Sequence, residues 1–403
     1  MTQGPTRRRF TKLFADSAAF AAACALALAA VPAAASAAAV ADPPKATKKT
    51  SAKAKKARQP AQAKKPRTAR ATPAASDAAT ASPSYAGRDD VMRFGAEIAE
   101  RNGLDLAWVL SALASARFQP NVVKYIMPPP AGTAKNWAAY RERFVEPRRI
   151  RAGVAFWRAN EGWLLRAEDV YGVPPEIVVG ILGVETIYGE QMGNFRVIDA
   201  LATLAFDFPT GRKDRSAFFR DELEQLFVQC RGTPERPGRD PLELKGSFAG
   251  AQGLPQFMPG SVNRYAIDFD GDGRIDLRDS SADAIGSVAH YLAAFGWQRG
   301  MPTHYGVAVP VDAAARALLL GPDIVPTFTA AQFAEHGALL APPGPDHVGL
   351  LALVELQNGD AAPSYVAGTA NFYAITRYNW SSYYAMAVID LGAAVKRQIG
   401  GVR

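Results

Sequence analysis

Apolar residues recur at three- and four-residue steps along most of the chain, which is the spacing of amphipathic helices. One clear run places Val91, Phe94 and Ile98 on a single helix face, and the spacing returns over residues 383–398. Residues 301–360 differ, because short apolar runs there lie between Pro and Gly, as is typical of strands. The pattern predicts a mainly α protein of the α+β class, with a small β subdomain in its C-terminal third.

The first 84 residues lack this pattern and divide near residue 41. Basic residues from Arg7 to Lys12 precede an Ala- and Leu-rich run and then small residues, an order that predicts an export signal over 1–41. Its arginines resemble a twin-arginine signal, so we expect a periplasmic protein, with an outer-membrane lipid on Cys24 as the alternative. Residues 42–84 hold no large apolar side chain and predict a disordered basic linker.

Composition excludes several protein classes. The chain has 403 residues, of which 48% are hydrophobic, enough for a sizeable core. Two cysteines exclude a disulfide-dense scaffold and a cysteine-based zinc or iron–sulfur site. Four histidines without a cluster argue against a transition-metal enzyme. If Cys24 leaves with the signal, Cys230 is expected to be a buried thiol.

The net charge of +8 resides in the N-terminal part of the chain. Fifteen of the 46 Lys and Arg residues, but only three of the 38 acidic residues, precede Tyr85. The remaining 31 basic and 35 acidic residues give the later part a balance of −4. Export and this balance argue against nucleic acid as a partner. The basic linker either favours anionic wall polymers or membrane headgroups, or serves only as a solubilising spacer.

One ionisable residue lies inside a strongly apolar helical stretch. Pro174 and Pro175 predict a helix start, and Glu185 is the single charged residue within 177–187. Because burial disfavours charge, this carboxyl group must be paired or shifted towards its protonated form. A carboxyl group that is neutral near pH 7 suits protonation of a glycosidic oxygen. A structural glutamate bonded to an arginine or to backbone amides is the alternative.

Two further segments are unusual. Residues 247–259 combine small residues with Ser247 and Gln256, which predicts close approach of the backbone to a ligand or a tight turn before a helix. Residues 268–279 read DFDGDGRIDLRD, and their alternating acids, with Gly at position six and Ile at position eight, match an EF-hand calcium loop. Position twelve is Asp279 rather than Glu, which predicts weak and mainly structural calcium binding.

Four motifs in this order resemble the membrane-bound lytic murein transglycosylase B family, glycoside hydrolase family 103. They are GVETIYG at 183–189, GLPQFMP at 253–259, the calcium loop followed by DAIGSVA at 283–289, and ITRYN at 375–379. The resemblance spans 89–399 and implies a lysozyme-like core with a helical domain and a small β domain.

The resemblance also implies a reaction, cleavage of the β-1,4 bond between N-acetylmuramic acid and N-acetylglucosamine in peptidoglycan. Glu185 falls on the family's single catalytic acid and base. It would protonate the leaving oxygen and then accept the proton of the muramoyl C6 hydroxyl, so that a 1,6-anhydro end forms without water. Peptidoglycan glycan strands are the implied partner, calcium is the implied structural ion, no organic cofactor is implied, and we expect a monomer.

Site residues follow from the same motifs. The positions implied to line the glycan cleft are Tyr140, Ser247, Gln256, Tyr291, Tyr378, Asn379 and Tyr384. The implied calcium ligands are Asp268, Asp270, Asp272, the carbonyl of Arg274, and Asp283, with Asp279 competing as the last ligand.

We expect residues 85–403 to form the catalytic region. Its expected parts are a helical domain at 85–160, a lysozyme-like core with the calcium loop at 161–300, a β subdomain at 301–365, and a return to the core at 366–403.

Two other functions stay open at this point. A hydrolytic muramidase would need a second carboxylate, such as Glu190, Asp199 or Asp207, across the cleft. A non-catalytic scaffold would bind the cell wall without cleaving it.

Overall fold

The computed structural model describes residues 82–128, 135–232 and 238–401. The predicted export signal at 1–41, and all but the last three residues of the predicted linker at 42–84, lie outside the described residues. Fifteen α-helices and six short strands occur in the described ranges, which confirms the mainly α prediction. Among these described helices, none has the length and apolar character needed to cross a lipid bilayer.

The elements are numbered here in chain order. The helices are α1 (Asp89–Asn102), α2 (Leu106–Ser115), α3 (Pro120–Ile126), α4 (Trp137–Phe144), α5 (Pro147–Ala159), α6 (Glu161–Tyr171), α7 (Pro175–Thr186), α8 (Val197–Phe206), α9 (Ser216–Cys230), α10 (Pro259–Tyr265), α11 (Ser281–Ala294), α12 (Ala313–Leu320), α13 (Ala330–Glu335), α14 (Ala370–Thr376) and α15 (Ser382–Gly400). The strands are β1 (Phe195–Arg196), β2 (Lys245–Gly246), β3 (His304–Ala308), β4 (Leu339–Leu340), β5 (Ala352–Asn358) and β6 (Ala361–Gly368).

Buried apolar residues form three clusters in the described ranges. The main cluster joins α4 to α7 with α11, α14 and α15. The second joins α1, α2 and α3 to α8 and α9, and it contains the buried thiol of Cys230, as expected. The third lies under the small sheet, with α12 and α13. The predicted subdivision at residues 160, 300 and 365 remains a prediction.

The small sheet lies where the sequence predicts strands. Its order is β4-β3-β6-β5, and all neighbouring strands are antiparallel. A separate two-stranded ladder pairs β1 with β2, with Phe195 opposite Gly246. This ladder places the segment after Gly246 beside the start of α8.

Helix α7 lies at the centre of the main cluster, and eleven of its twelve residues are buried. It crosses α15 at very short distance, because glycines remove the side chains that would separate them. A Cβ atom on Gly180 would lie 2.2 Å from the carbonyl oxygen of Val388, and one on Gly392 would lie 2.0 Å from that of Glu176. The two backbones are therefore in direct contact.

We expect Gly392→Ala to destabilise the protein by about 1–3 kcal/mol, because α7 and α15 must separate to admit the methyl group. Gly162→Ala in α6 is the matched control, since its added Cβ would meet nothing within 4 Å. That control should be neutral or stabilising by about 0.5–1 kcal/mol. Urea unfolding of both variants measures the difference, and equal stabilities would contradict the close-contact interpretation.

Candidate active site

Glu185 lies in the last turn of α7, and its residue is 5% exposed. Burial raises the pKa of its carboxyl group from an ordinary 4.5 to about 7. The hydroxyl of Tyr384 donates to Oε1 of Glu185 at 2.6 Å, which favours the carboxylate and opposes the effect of burial on the pKa. The carboxyl group is therefore near half protonation at neutral pH.

The end of α7 is fixed to the segment that carries Gln256. Ile187 and Tyr188 have φ values of 52° and 55°, so the chain leaves the helix in the left-handed region. Thr186 Oγ1 donates to the carbonyl oxygen of Leu254 at 3.0 Å and accepts from the backbone N–H of Gly189 at 3.0 Å. These bonds hold residues 247–258 against the end of the helix that carries Glu185.

The phenol of Tyr188 packs beneath this helix end. A Cβ atom on Gly153 or Gly183 would lie 2.4 Å from its hydroxyl, and the ring stacks on Phe156 at 5.2 Å. The hydroxyl is buried and has no hydrogen-bond partner among the described residues. The sequence marked this tyrosine as part of a motif but did not predict its contact with two glycines on different helices.

The four predicted cleft tyrosines lie around Glu185. Tyr378 stacks on Tyr384 with a centroid distance of 6.2 Å and an angle of 14°, and it contacts Tyr291 at 4.9 Å. Burial, and secondarily the charge of Glu185, raises the pKa of Tyr378 and Tyr384 far above 10. The same two causes, in the same order, raise the pKa of Tyr140. All of these groups are neutral phenols at the pH at which Glu185 titrates.

Two amide side chains bring buried polar atoms that lack partners in the described structure. Gln256 adopts a φ of 50°, and its Nε2 donates to the carbonyl oxygens of Gly253 at 2.9 Å and Met192 at 3.3 Å. Its Oε1, like both Nδ2 and Oδ1 of the fully buried Asn379, has no partner. Since an unsatisfied buried polar atom costs about 1–3 kcal/mol, this arrangement is typical of a site that a polar ligand completes.

Ser247 lies at the start of the same segment and is buried. Its Oγ accepts from the backbone N–H of Ala251 at 3.0 Å, and its own N–H donates to the carbonyl oxygen of Ala251 at 2.8 Å. The hydroxyl therefore shapes the turn and keeps its proton available for a further acceptor.

The three alternative carboxylates are each held by an arginine. Glu190 pairs with Arg148, and its side chain is 45% exposed. Asp199 pairs with Arg196 at 2.7 Å and also accepts from the backbone N–H of Arg117 at 2.9 Å. Asp207 accepts from Arg88 at 3.0 Å and from the hydroxyl of Tyr85 at 2.7 Å. Among the described residues, Glu185 forms its side-chain hydrogen bond with Tyr384 and not with any of these three carboxylates.

A second buried carboxyl group escaped the sequence analysis. Burial raises the pKa of Glu222 to about 7, and its Oε2 accepts from the backbone N–H of Gly260 at 2.8 Å. It thereby caps the first turn of α10, directly after Gln256 and its neighbours. Its signal was its place among Phe219, Leu223 and Leu226 on one apolar face of α9.

The predicted calcium loop brings three carboxylates together. Oxygen atoms of Asp268, Asp270 and Asp283 all lie within 4.8 Å of one another. Asp283 is almost fully buried, and its two oxygens accept from the backbone N–H groups of Phe269 and Asp276, each at 2.7 Å.

The remaining predicted ligands lie outside this trio of carboxylates. Asp272 Oδ1 accepts from the backbone N–H of Arg274 at 2.8 Å. The backbone N–H of Asp279 donates to Asp276 at 3.0 Å, and the Asp279 residue is exposed. Gly273 has a φ of 88°, as the sixth position of such a loop requires.

Comparisons with known proteins agree with the fold. A family model described as a transglycosylase SLT domain matches residues 86–393. The chain is 40% identical over 319 residues to membrane-bound lytic murein transglycosylase B of Escherichia coli K12, covering 77% of this chain and 84% of that protein.

Two solved structures are also similar. The lytic transglycosylase SltB1 from Pseudomonas aeruginosa has a TM-score of 0.69 at 37% identity, covering 78% of this chain and 99% of that one. The E. coli lytic transglycosylase Slt35 in complex with calcium has a TM-score of 0.66 at 38% identity, covering 80% of this chain and 97% of that one.

We expect Glu185→Gln to gain stability relative to the unmodified protein as the pH rises from 5 to 8. The pKa of Glu185 is higher in the folded state than in the unfolded state, so this carboxyl group ionises first in the unfolded chain. The free energy of unfolding of the unmodified protein therefore falls between pH 4.5 and 7. The difference should reach about 3 kcal/mol at most. Urea unfolding at both pH values measures it. Glu222 titrates in both proteins, so its effect cancels, and a pH-independent difference would contradict the raised pKa.

Proposed function

The chain belongs to the transglycosylase SLT domain family, and from this premise we propose that Glu185 is its single catalytic acid and base. The protein is a lytic murein transglycosylase, a lyase that acts on peptidoglycan. The observation that carries the proposal is a buried carboxyl group with a pKa raised to about 7, hydrogen-bonded to Tyr384. Its substrate bond is the β-1,4 linkage from N-acetylmuramic acid to N-acetylglucosamine.

In the first step Glu185 acts as an acid. Its protonated carboxyl group donates a proton to the glycosidic oxygen, and the bond from that oxygen to C1 of the muramoyl residue breaks. The electron pair leaves with the N-acetylglucosamine hydroxyl, and the substrate's own N-acetyl group stabilises the positive charge at C1. Tyr384 then hydrogen-bonds the carboxylate that remains, at the oxygen it already contacts.

In the second step the same carboxylate acts as a base. It accepts the proton of the muramoyl C6 hydroxyl while the C6 oxygen bonds to C1, which closes the 1,6-anhydro ring and restores the protonated acid. A pKa near 7 suits both steps, because neither protonation state is strongly disfavoured at neutral pH. No second carboxylate is required by this sequence.

Polar groups around Glu185 supply substrate contacts. The unpartnered Oε1 of Gln256 and the amide of Asn379 suit the N–H and C=O groups of acetamido sugars. Ser247 and the phenols of Tyr140, Tyr291, Tyr378 and Tyr384 complete the proposed glycan-binding set.

The hydrolytic alternative is disfavoured by the partners of its candidate residues. A hydrolase would place a second carboxylate about 5–9.5 Å from the first. Glu190, Asp199 and Asp207 instead form ion pairs with arginines. A non-catalytic scaffold is disfavoured because the matching family and the similar proteins are lytic transglycosylases.

Calcium is the proposed structural ion of residues 268–283. Ca²⁺ binds oxygen ligands at about 2.3–2.6 Å, so two ligands of one ion lie at most about 5 Å apart. Oxygens of Asp268, Asp270 and Asp283 fall within 4.8 Å of one another and fit this limit. Asp283, and not Asp279, contributes an oxygen to this group, which supports Asp283 as the last carboxylate ligand. Asp272 and the Arg274 carbonyl complete the proposed set.

We further propose that the protein is exported to the periplasm and acts there as a monomer. The support is the order of charge and apolar residues in 1–41 and the peptidoglycan substrate. Residues 42–84 would hold the enzyme near anionic wall or membrane surfaces.

We expect Glu185→Gln to abolish cleavage of purified sacculi while the protein stays folded, because an amide cannot donate and accept the catalytic proton. Mass spectrometry of fragments released by the unmodified protein should show 1,6-anhydromuramic acid ends, one water lighter than reducing ends. Glu190→Gln is the matched control and should retain cleavage. Reducing ends would instead show that water is the acceptor.

Calcium should raise the melting temperature and leave turnover nearly unchanged. An ion at 100 times its dissociation constant stabilises the folded state by about 2.7 kcal/mol. Thermal unfolding in calcium and in chelator measures the shift, and Asp268→Asn should remove most of it. Identical melting curves in both buffers would rule out a structural calcium ion.

A further inference from the structure

One aromatic side chain in the described part of the chain is exposed although it is large and mostly apolar. Tyr125, near the C-terminal end of α3, is 44% exposed, and the other large apolar residues of comparable exposure are aliphatic or methionine. The remaining aromatic residues in the described ranges are buried or half-buried. Tyrosine is enriched at binding interfaces because its ring is apolar while its hydroxyl can bond to water or to a ligand, so this exposed ring is a candidate ligand contact.

The ring of Tyr125 is held in a defined orientation. Phe195 and Phe248 contact it at centroid distances of 6.2 and 5.9 Å, and their planes stand at 83° and 70° to it. The helix end is also fixed, because Arg212 donates to the carbonyl oxygen of Ile126. A ring ordered before binding loses little conformational entropy when a ligand covers it.

The two supporting phenylalanines connect this ring to the active site. Phe248 directly follows Ser247, and Phe195 pairs across the β1–β2 ladder with Gly246. The same region reaches Glu185, because Gln256 donates to Met192 and Thr186 donates to Leu254. The ring of Tyr125 therefore packs against the segment that also borders the carboxyl group of Glu185.

We propose that Tyr125 is a sugar-stacking platform that binds a pyranose ring of the glycan strand beyond the residues around Glu185. The glycan strand is favoured as the occupant because the platform continues the segment that borders the active site. A pyranose ring with equatorial substituents presents an apolar face of C–H groups, which an aromatic face can cover. The phenolic hydroxyl at the rim can bond a sugar hydroxyl. This inference rests on the proposed function.

The platform should matter for long glycan strands and not for short ones. Tyr125→Ala is expected to lower kcat/KM on long strands about tenfold, mainly through KM, which corresponds to ~1.4 kcal/mol of lost binding. On the shortest oligosaccharide that the enzyme cleaves, the change should stay within about twofold. Tyr125→Phe and Tyr125→Trp keep a ring and should retain nearly full activity.

The matched control is Leu165→Ala, which removes an exposed apolar side chain from α6. It should leave both substrates unaffected, and melting curves should show that all variants fold. Equal losses on short and long substrates would mean that Tyr125 acts through the fold, which would overturn the platform. A loss in Tyr125→Phe as large as in Tyr125→Ala would also overturn stacking.

Binding separates this proposal from the catalytic one. In the inactive Glu185→Gln background, Tyr125→Ala should weaken cosedimentation with purified sacculi about tenfold. If the unmodified enzyme fails to produce Glu185-dependent fragments, the proposed mechanism fails while this binding result stands by itself. Unchanged binding together with unchanged kcat/KM on long strands would show that glycan does not occupy the ring.

Discussion

The backbone contact between α7 and α15 is the constraint on which the rest of the site depends. Gly180 and Gly392 let the two helices touch without intervening side chains. Glu185 and Tyr384, one on each helix, then meet inside an apolar surrounding at 2.6 Å. A looser crossing would admit solvent, and the pKa of Glu185 would return towards that of an ordinary carboxylic acid. The raised pKa of Glu185 is thus a consequence of its burial beside this close helix contact.

The buried carboxyl group and the unpartnered polar atoms of the site lower the stability of the folded protein. A carboxyl group with a raised pKa lowers the stability of the folded state at neutral pH, and the unpartnered polar atoms of Gln256 and Asn379 add to that loss. The surrounding core offsets it, since nearly all of α7 is buried among apolar side chains. In the proposed function the same atoms favour a polar ligand, because binding would satisfy them.

Part of this site could be predicted from local sequence patterns, whereas the rest depends on tertiary contacts. Glu185 was recognisable because one charged residue interrupts an apolar helix, and the calcium loop was recognisable because its ligands are close along the chain. Contacts with residues distant in sequence determine the surroundings of Glu222, of the buried Tyr188 hydroxyl and of the exposed Tyr125 ring. An amphipathic pattern also does not distinguish a buried glutamate from a solvated one. The small sheet was predicted as a region, whereas its strand order depends on contacts between distant residues.

The segment 247–258 connects the two larger hydrophobic clusters. Phe248 and Ala249 belong to the cluster of α8 and α9, while Leu254 and Phe257 belong to the main cluster around α7. Because these two pairs of residues are buried in different clusters, the backbone of the segment is fixed relative to Glu185 and to Tyr125 at once. The left-handed Gln256 lies between these anchors, where its strained backbone is tolerated because the packing on both sides determines it. One short stretch of chain therefore positions both the proposed substrate contacts and the proposed catalytic acid.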